Sequence, residues 1–171
     1  MMKKMLATLL IAVLLLGAAA LAETYTHDDL TFDYDGALME IAYEDHTDDE
    51  DTVILNFKDD ALAGTCLRVY LRDLEDGEAF PTMDDFTAMP DASDVTQGDW
   101  AGFTNVFSYN VVNEEGIDSF FIAPVYDDDG REVEDLLTVE IFVTNGVDDE
   151  LAMTRDDAIS AVVDSLKVLD D

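Results

Sequence analysis

The sequence predicts an α+β fold, a single-domain α/β sandwich with a mainly antiparallel sheet of about six to eight strands and two helices. Short stretches rich in β-branched and aromatic residues recur along residues 30–144, and turn-forming residues separate them. Two stretches have helical spacing instead, one in the middle of the chain and one at its C-terminal end. Because short connections join many of the strand candidates, we expect mainly antiparallel pairing.

The N-terminal segment has the features of a secretory signal peptide. Lys3 and Lys4 give it a positive start, an apolar run follows over residues 6–16, and small residues at 20–22 form a cleavage site. The apolar run is shorter than the roughly 20 residues that span a bilayer. We therefore expect residues 1–22 to be cleaved off and the product to be secreted, with no membrane insertion after cleavage.

Residues 23–171 are expected to form one strongly acidic domain. The chain carries 41 acidic and 8 basic side chains, and its net charge of −33 falls to near −35 when Lys3 and Lys4 leave with the signal peptide. A hydrophobic content of 49% is too high for a disordered polyanion. Nucleic acids and anionic membranes are repelled over about 8 Å at physiological salt, so we exclude both as partners. An unidentified protein or cell-envelope partner and weak calcium binding stay open.

The strand candidates are justified by alternation between turn signals. They cover residues 30–34, 38–43, 52–58, 65–73, 103–112, 119–126 and 136–144, with a weaker candidate at 95–100. The segments NEEG and DDDGREVED each predict the turn of a β-hairpin. The most acidic segment, EDHTDDEDT at residues 44–52, lies between two alternating stretches and is interpreted as a hairpin connection.

Two helices are predicted from their caps and spacing. A short middle helix follows Thr82 and ends before Pro90. A C-terminal amphipathic helix is predicted to begin at Thr154, because the sequence TRDD has the form of a capping box. Its apolar positions follow helical spacing and should pack on the sheet: Ile159, Val162, Val163 and Leu166.

This order of elements resembles the PsbP-like fold. The resemblance covers roughly residues 30–168 and rests on LTFDYD, VILNFKD, the pair WAGFTNVFSYNVV and IDSFFIAPVY, LTVEIFVTN and the final AVVDSLKVLD. PsbP-like proteins form an α/β sandwich and include many small exported bacterial proteins. They act as accessory or binding proteins, so the resemblance implies a non-enzymatic function and supplies no catalytic residue.

Recognisable motifs for catalysis and for metal binding are absent from the sequence. It contains no GxSxG, GxxxxGK[ST], HExxH, paired CxxC or GxGxxG, and no loop with EF-hand spacing. We therefore expect no enzyme, no catalytic residues, no cofactor and no metal ligands. Two alternatives are kept, an extracellular hydrolase that uses a carboxylate pair and a low-affinity calcium-stabilised protein.

Both histidines are expected at the solvated surface. His27 and His46 each lie beside acidic residues, and we place them in loops. A zinc site built from Asp45, His46 and Asp49 would lack a convincing set of nitrogen or sulfur ligands. The sequence therefore favours a surface role for these residues.

Arginine, cysteine and tryptophan are rare in this chain, and each of these residues in the predicted strands has two interpretations. Arg68 and Arg72 share a strand face with Tyr70 between them, so they form either a slot for an anion or, as we favour, ion pairs with neighbouring carboxylates. Cys66, the single cysteine, is expected to be a packing residue rather than a nucleophile. Trp100 is expected to pack beside a turn, with a pocket-lining role as the alternative.

Overall fold

The computed structural model describes residues 22–27, 29–47, 49–75, 77–127 and 130–169. Of the predicted signal peptide, only Ala22 is among them, so that prediction lies outside the described residues. The strands in these residues are β1 (Ala22–His27), β2 (Leu30–Asp35), β3 (Met39–His46), β4 (Glu50–Phe57), β5 (Cys66–Asp73), β6 (Ala92–Trp100), β7 (Phe103–Val112), β8 (Gly116–Tyr126), β9 (Val133–Thr144) and β10 (Lys167–Val168). The helices are α1 (Met83–Thr87) and α2 (Asp149–Ser165), with a short 3-10 helix at Asp60–Leu62.

The strands form two antiparallel sheets. The large sheet has seven strands in the order β3-β4-β5-β9-β8-β7-β6, and the small sheet has three in the order β1-β2-β10. The β7–β8 and β8–β9 hairpins turn where NEEG and DDDGREVED predict them. The α+β sandwich is therefore confirmed.

The main core fills the space between one face of the large sheet, the small sheet and α2. On β5, Leu67, Val69 and Leu71 point into it, and alternation places Arg68 and Tyr70 on the opposite face. The small sheet contributes Tyr25, Leu30 and Phe32 to it. The helix α2 and the residue that follows it contribute a second set: Ala158, Ile159, Val162, Val163 and Leu166. Each fully buried leucine or phenylalanine contributes about 1.5–3 kcal/mol of transfer free energy, so this layer drives folding.

A second, smaller apolar cluster covers part of the opposite face. It centres on Phe86 of α1, which packs on Phe107 with ring centroids 4.9 Å apart, and includes Ile122 and Leu136. The predicted position of α1 is confirmed, with the Thr82 backbone N–H donating to Asp85 Oδ2 at 2.8 Å. Of its apolar residues, Phe86 is buried and Met83 is partly buried, whereas Met89 after the helix is 41% exposed.

The predicted start of the C-terminal helix is wrong. α2 begins at Asp149, and the Asp148 side chain accepts hydrogen bonds from the backbone N–H groups of Glu150 and Leu151, both at 3.1 Å. Thr154 lies inside the helix, where its hydroxyl donates to the Glu150 carbonyl at 3.1 Å. The physical reason is that Asp148 already satisfies the first free donors, and the acidic first turn complements the helix dipole.

Two strands have no counterpart in the predicted set. β1 has mainly polar residues, and only Tyr25 among them is buried, so its alternation gives no strong pattern. β10 has only two residues, which pair with Thr31 and Leu30 of β2. The weak candidate at 95–100 is confirmed as part of β6. None of the helices in the described part of the chain has both the length and the apolar character needed to cross a membrane.

Candidate functional site

The most acidic segment, residues 44–52, joins β3 to β4 as predicted, but the strands extend further into it. β3 ends at His46 and β4 begins at Glu50, and the Thr47 N–H donates to the Glu50 carbonyl at 2.9 Å across the turn. His46 is thus a strand residue. Its expected position in a solvated loop is wrong, because pairing with Asp51 of β4 carries the strand up to it.

His46 is held by partners on both ring nitrogens. Its Nδ1 lies 2.7 Å from Asp51 Oδ1, and its Nε2 lies 3.2 Å from the Tyr25 hydroxyl. Asp51 is only 7% exposed, so this carboxylate depends on its polar contact with the imidazole. Glu44 Oε2 is also near, 3.9 Å from Nε2. These contacts fix the orientation of the His46 ring.

His27 is brought to the same place by the small sheet. It is the last residue of β1, and its ring stacks on the His46 ring with centroids 3.5 Å apart and planes inclined by 11°. The loop position expected for His27 is also wrong. The small sheet lies over the large one here, so β1 meets the β3–β4 edge.

Together, His27, His46 and Asp51 form a cluster that matches the ligand chemistry of a transition metal. One ligand atom from each residue lies within 4.8 Å of the others. The set shares only His46 with the zinc site considered from the sequence. Sequence reasoning missed it because β1 was not predicted, and because Asp51 was one of many carboxylates in an acidic segment.

An acidic groove lies beside this cluster, on the other side of the hairpin turn. It has a volume of about 520 Å³ and is lined by Thr47, Asp49, Glu50, Arg72, Asp73, Leu74 and Glu75. A smaller cavity of about 190 Å³ shares Glu50 and Arg72 with it and continues over Tyr70 and Thr138. The groove therefore concentrates carboxylates around one arginine.

That arginine is already neutralised. Arg72 donates two hydrogen bonds to Glu78, at 3.0 and 2.6 Å. These bonds, with a further one from the Glu75 backbone, lower the pKa of Glu78 to about 2. Arg72 also interacts electrostatically with Glu75 and Glu50, so it serves several carboxylates at once, and the described lining of the groove has more carboxylates than cations.

A carboxylate pair lies at the same end of the large sheet. Asp73 of β5 is opposite Asp135 of β9, and burial, together with the charge and hydrogen bond of Asp73, raises the pKa of Asp135 to about 6. Glu134 and Asp29 add further negative charge near Asp135. Asp135 thus keeps a proton in mildly acidic conditions in which an isolated aspartate is ionised.

The structure confirms the favoured interpretations of Arg68, Cys66 and Trp100. Arg68 Nη1 lies 2.6 Å from Glu140 Oε1, on the strand opposite, so it forms an ion pair rather than an anion slot. Cys66 is buried, and burial raises the pKa of its thiol, which disfavours the nucleophilic thiolate. Trp100 stacks on Phe121 with ring centroids 4.1 Å apart.

Comparisons with known proteins give no family for this chain. No protein-family model, no curated protein and no solved structure matches it. The PsbP-like resemblance stays a prediction, while the sandwich architecture is confirmed by the structure. Function is therefore inferred from the chain's own side chains.

Proposed function

We propose that this protein is an exported, non-enzymatic accessory or binding protein whose acidic surface binds a basic segment of a protein partner. The observation that carries the proposal is the acidic groove between the β3–β4 turn and the segment after β5. Four carboxylates line it, from Asp49, Glu50, Asp73 and Glu75, while its one arginine is paired with Glu78. A cationic side chain entering the groove would meet an excess of carboxylates over cations.

The charge distribution outside the groove supports the same proposal. Two further arginines are also held in ion pairs, Arg68 by Glu140 and Arg155 by Asp156 at 2.8 Å. With 41 acidic and 8 basic side chains in the whole chain, such pairing leaves most carboxylates uncompensated. The negative electrostatic field of these carboxylates steers cationic partners and speeds their association, and this effect depends strongly on salt.

The N-terminal sequence supports export. A signal peptidase substrate needs a positively charged start, an apolar run and small residues before the cleavage point. This sequence has all three, at residues 3–4, 6–16 and 20–22. The resemblance to PsbP-like proteins points the same way, because members of that group act as exported accessory proteins. We propose that the partner is a basic protein segment at or outside the cell envelope.

The experiment measures binding of a fluorescently labelled oligo-arginine peptide by anisotropy, at low and at physiological salt. The test variant neutralises three groove acids: Asp49→Asn, Glu50→Gln and Glu75→Gln. The matched control neutralises three exposed acids elsewhere: Asp164→Asn, Glu114→Gln and Glu115→Gln. Both variants lose the same charge and the same residue types.

We expect the groove variant to bind about tenfold more weakly at physiological salt, since three surface charge contacts of about 0.5 kcal/mol each sum to about 1.5 kcal/mol. The control should change affinity by less than about threefold, because charges beyond a Debye length of about 8 Å are screened. Equal losses in both variants would assign binding to diffuse charge. An absence of saturable binding to the unmodified protein would refute the proposal.

A hydrolase is the second candidate, and the Asp73–Asp135 pair is the observation that favours it. A carboxyl group with a pKa of about 6 is suited to act as a general acid. The two carboxyl groups, however, share a hydrogen bond, whereas glycosidases separate theirs by about 5–9.5 Å. The hydrolase would be favoured if the unmodified protein hydrolysed an extracellular polymer and the Asp135→Asn variant lost this activity while still binding the peptide.

A further inference from the structure

We propose that His27, His46 and Asp51 bind one divalent transition-metal ion of the zinc class, where the small sheet meets the edge of the large sheet. The proposal goes beyond the acidic groove and does not depend on it. Two imidazoles and one carboxylate are ligands that zinc takes readily, and imidazole is not a ligand that calcium or magnesium prefers. The ligand types therefore select the class of metal.

The spacing of the three residues suits a single ion of this class. Tetrahedral zinc with bond lengths of about 2.0–2.2 Å separates its ligand atoms by about 3.4 Å. In the cluster, His46 Nδ1 and Asp51 Oδ1 are 2.7 Å apart, and the ligand atoms of the three residues all lie within 4.8 Å of one another. The three residues are therefore near enough to share one ion once their side chains reorient.

Metal binding requires the two imidazole rings to leave their parallel stack. Their planes are inclined by only 11°, whereas metal bonds lie in the plane of each ring and must converge on one ion. Tyr25 and Asp51 hold the His46 ring, so binding of one ion requires a change in the relative orientation of the two rings. Three protein ligands leave a fourth position for water, as in open zinc sites.

The surroundings favour a cation. Glu44 Oε2 lies 3.9 Å from His46 Nε2, and the side chain of Asp51 is 9% exposed, so the ligand carboxylate acts in a partly desolvated place. The net charge of the chain raises the local concentration of divalent cations around the whole domain. A dication in the cluster would relieve repulsion among these carboxylates.

The ion would connect three strands from two sheets. His27 lies on β1, an edge strand of the small sheet, while His46 and Asp51 lie opposite each other on β3 and β4. A single cysteine provides no intramolecular disulfide, so the metal would supply a cross-link that this fold otherwise lacks. Because binding to the folded state alone stabilises it, zinc should raise the melting temperature.

The test uses the full chain, expressed with its own N-terminal segment in a secreting bacterial host and purified without a histidine tag. Zinc is titrated into chelator-treated protein while imidazole signals are followed by NMR. The chain has only two histidines, so the two ring systems are easily assigned. We expect both to shift together and to saturate at one zinc per chain, with micromolar or tighter affinity.

Variants separate this site from general charge effects. His27→Gln and Asp51→Asn should each weaken zinc binding at least tenfold. The control Asp49→Asn removes a nearby groove acid and should change the affinity for zinc less than threefold. His27→Gln is the primary variant, because it leaves the His46–Asp51 hydrogen bond intact; circular dichroism without metal confirms folding.

Three results would overturn the proposal. The first is zinc binding no stronger than calcium binding at the same ionic strength. The second is saturation with only one histidine signal shifting, which would place the ion elsewhere. The third is His27→Gln protein that is folded and binds zinc with unchanged affinity.

Discussion

Replacing Asp135 with asparagine should stabilise the protein near neutral pH and leave its stability unchanged in acid. The folded state raises the pKa of Asp135 from its ordinary value of 3.8 to about 6, through burial and the neighbouring Asp73. Between these two values the folded state therefore binds more protons than the unfolded state. The free energy of unfolding falls as pH rises through this window, because ionised Asp135 is disfavoured in the fold.

The size of the effect follows from the difference between the two pKa values. A rise of about 2 units in the pKa of Asp135 corresponds to about 3 kcal/mol in the free energy of unfolding when solvent does not screen the interaction. The Asp135 side chain is partly exposed, so solvent screening reduces the expected gain to about 1 kcal/mol above pH 6. For a chain of this length, that gain raises the melting temperature by about 2–4 °C.

Urea unfolding followed by the fluorescence of Trp100, the single tryptophan, measures this directly. The variant and the unmodified protein are compared at about pH 7.5, where the linkage predicts a gain in stability, and at about pH 3, below both pKa values, where it predicts none. Asp91→Asn, at an exposed position after α1, is the matched control for removal of one charge. A gain of equal size at both pH values, or one matched by the control, would refute the reasoning.

Three further outcomes are expected from stability measurements. Asp148→Ala should cost about 1 kcal/mol by removing the cap of α2, and Thr154→Ala less than about 0.5 kcal/mol; the reverse order would contradict a helix start at Asp149. Arg68→Met should cost about 1–2 kcal/mol because it leaves the Glu140 charge unpaired, and Arg68→Met with Glu140→Gln should recover part of that loss; additive losses would contradict the pairing. Millimolar Ca²⁺ should raise the melting temperature no more than NaCl of equal ionic strength, and a larger rise would favour the calcium-stabilised alternative.

The hairpins and the middle helix could be predicted because their signals are local. Alternation fixes which face of a strand is buried, and turn residues fix where the strand ends, so NEEG and DDDGREVED predict two hairpins correctly. The same alternation predicts that Leu67 and Arg68 point to opposite faces, as they do. Local patterns thus give most of the large sheet.

The candidate metal site could not be predicted because it depends on how the two sheets pack. His27 ends a polar strand in which only Tyr25 is buried, and nothing in its neighbourhood points to His46. The start of α2 was missed for a different reason, since both Asp148 and Thr154 are acceptable caps by type. The helix takes the earlier cap, which allows several more residues to become helical.

Anomalous X-ray diffraction at the zinc edge, from crystals of the zinc-loaded protein, tests most directly whether the two sheets share a metal. The expected result is an anomalous peak within bonding distance of His27, His46 and Asp51, at about 2.0–2.2 Å from each ligand atom. Zinc peaks confined to other carboxylates, with the two imidazoles still stacked as they are here, would contradict the proposed site.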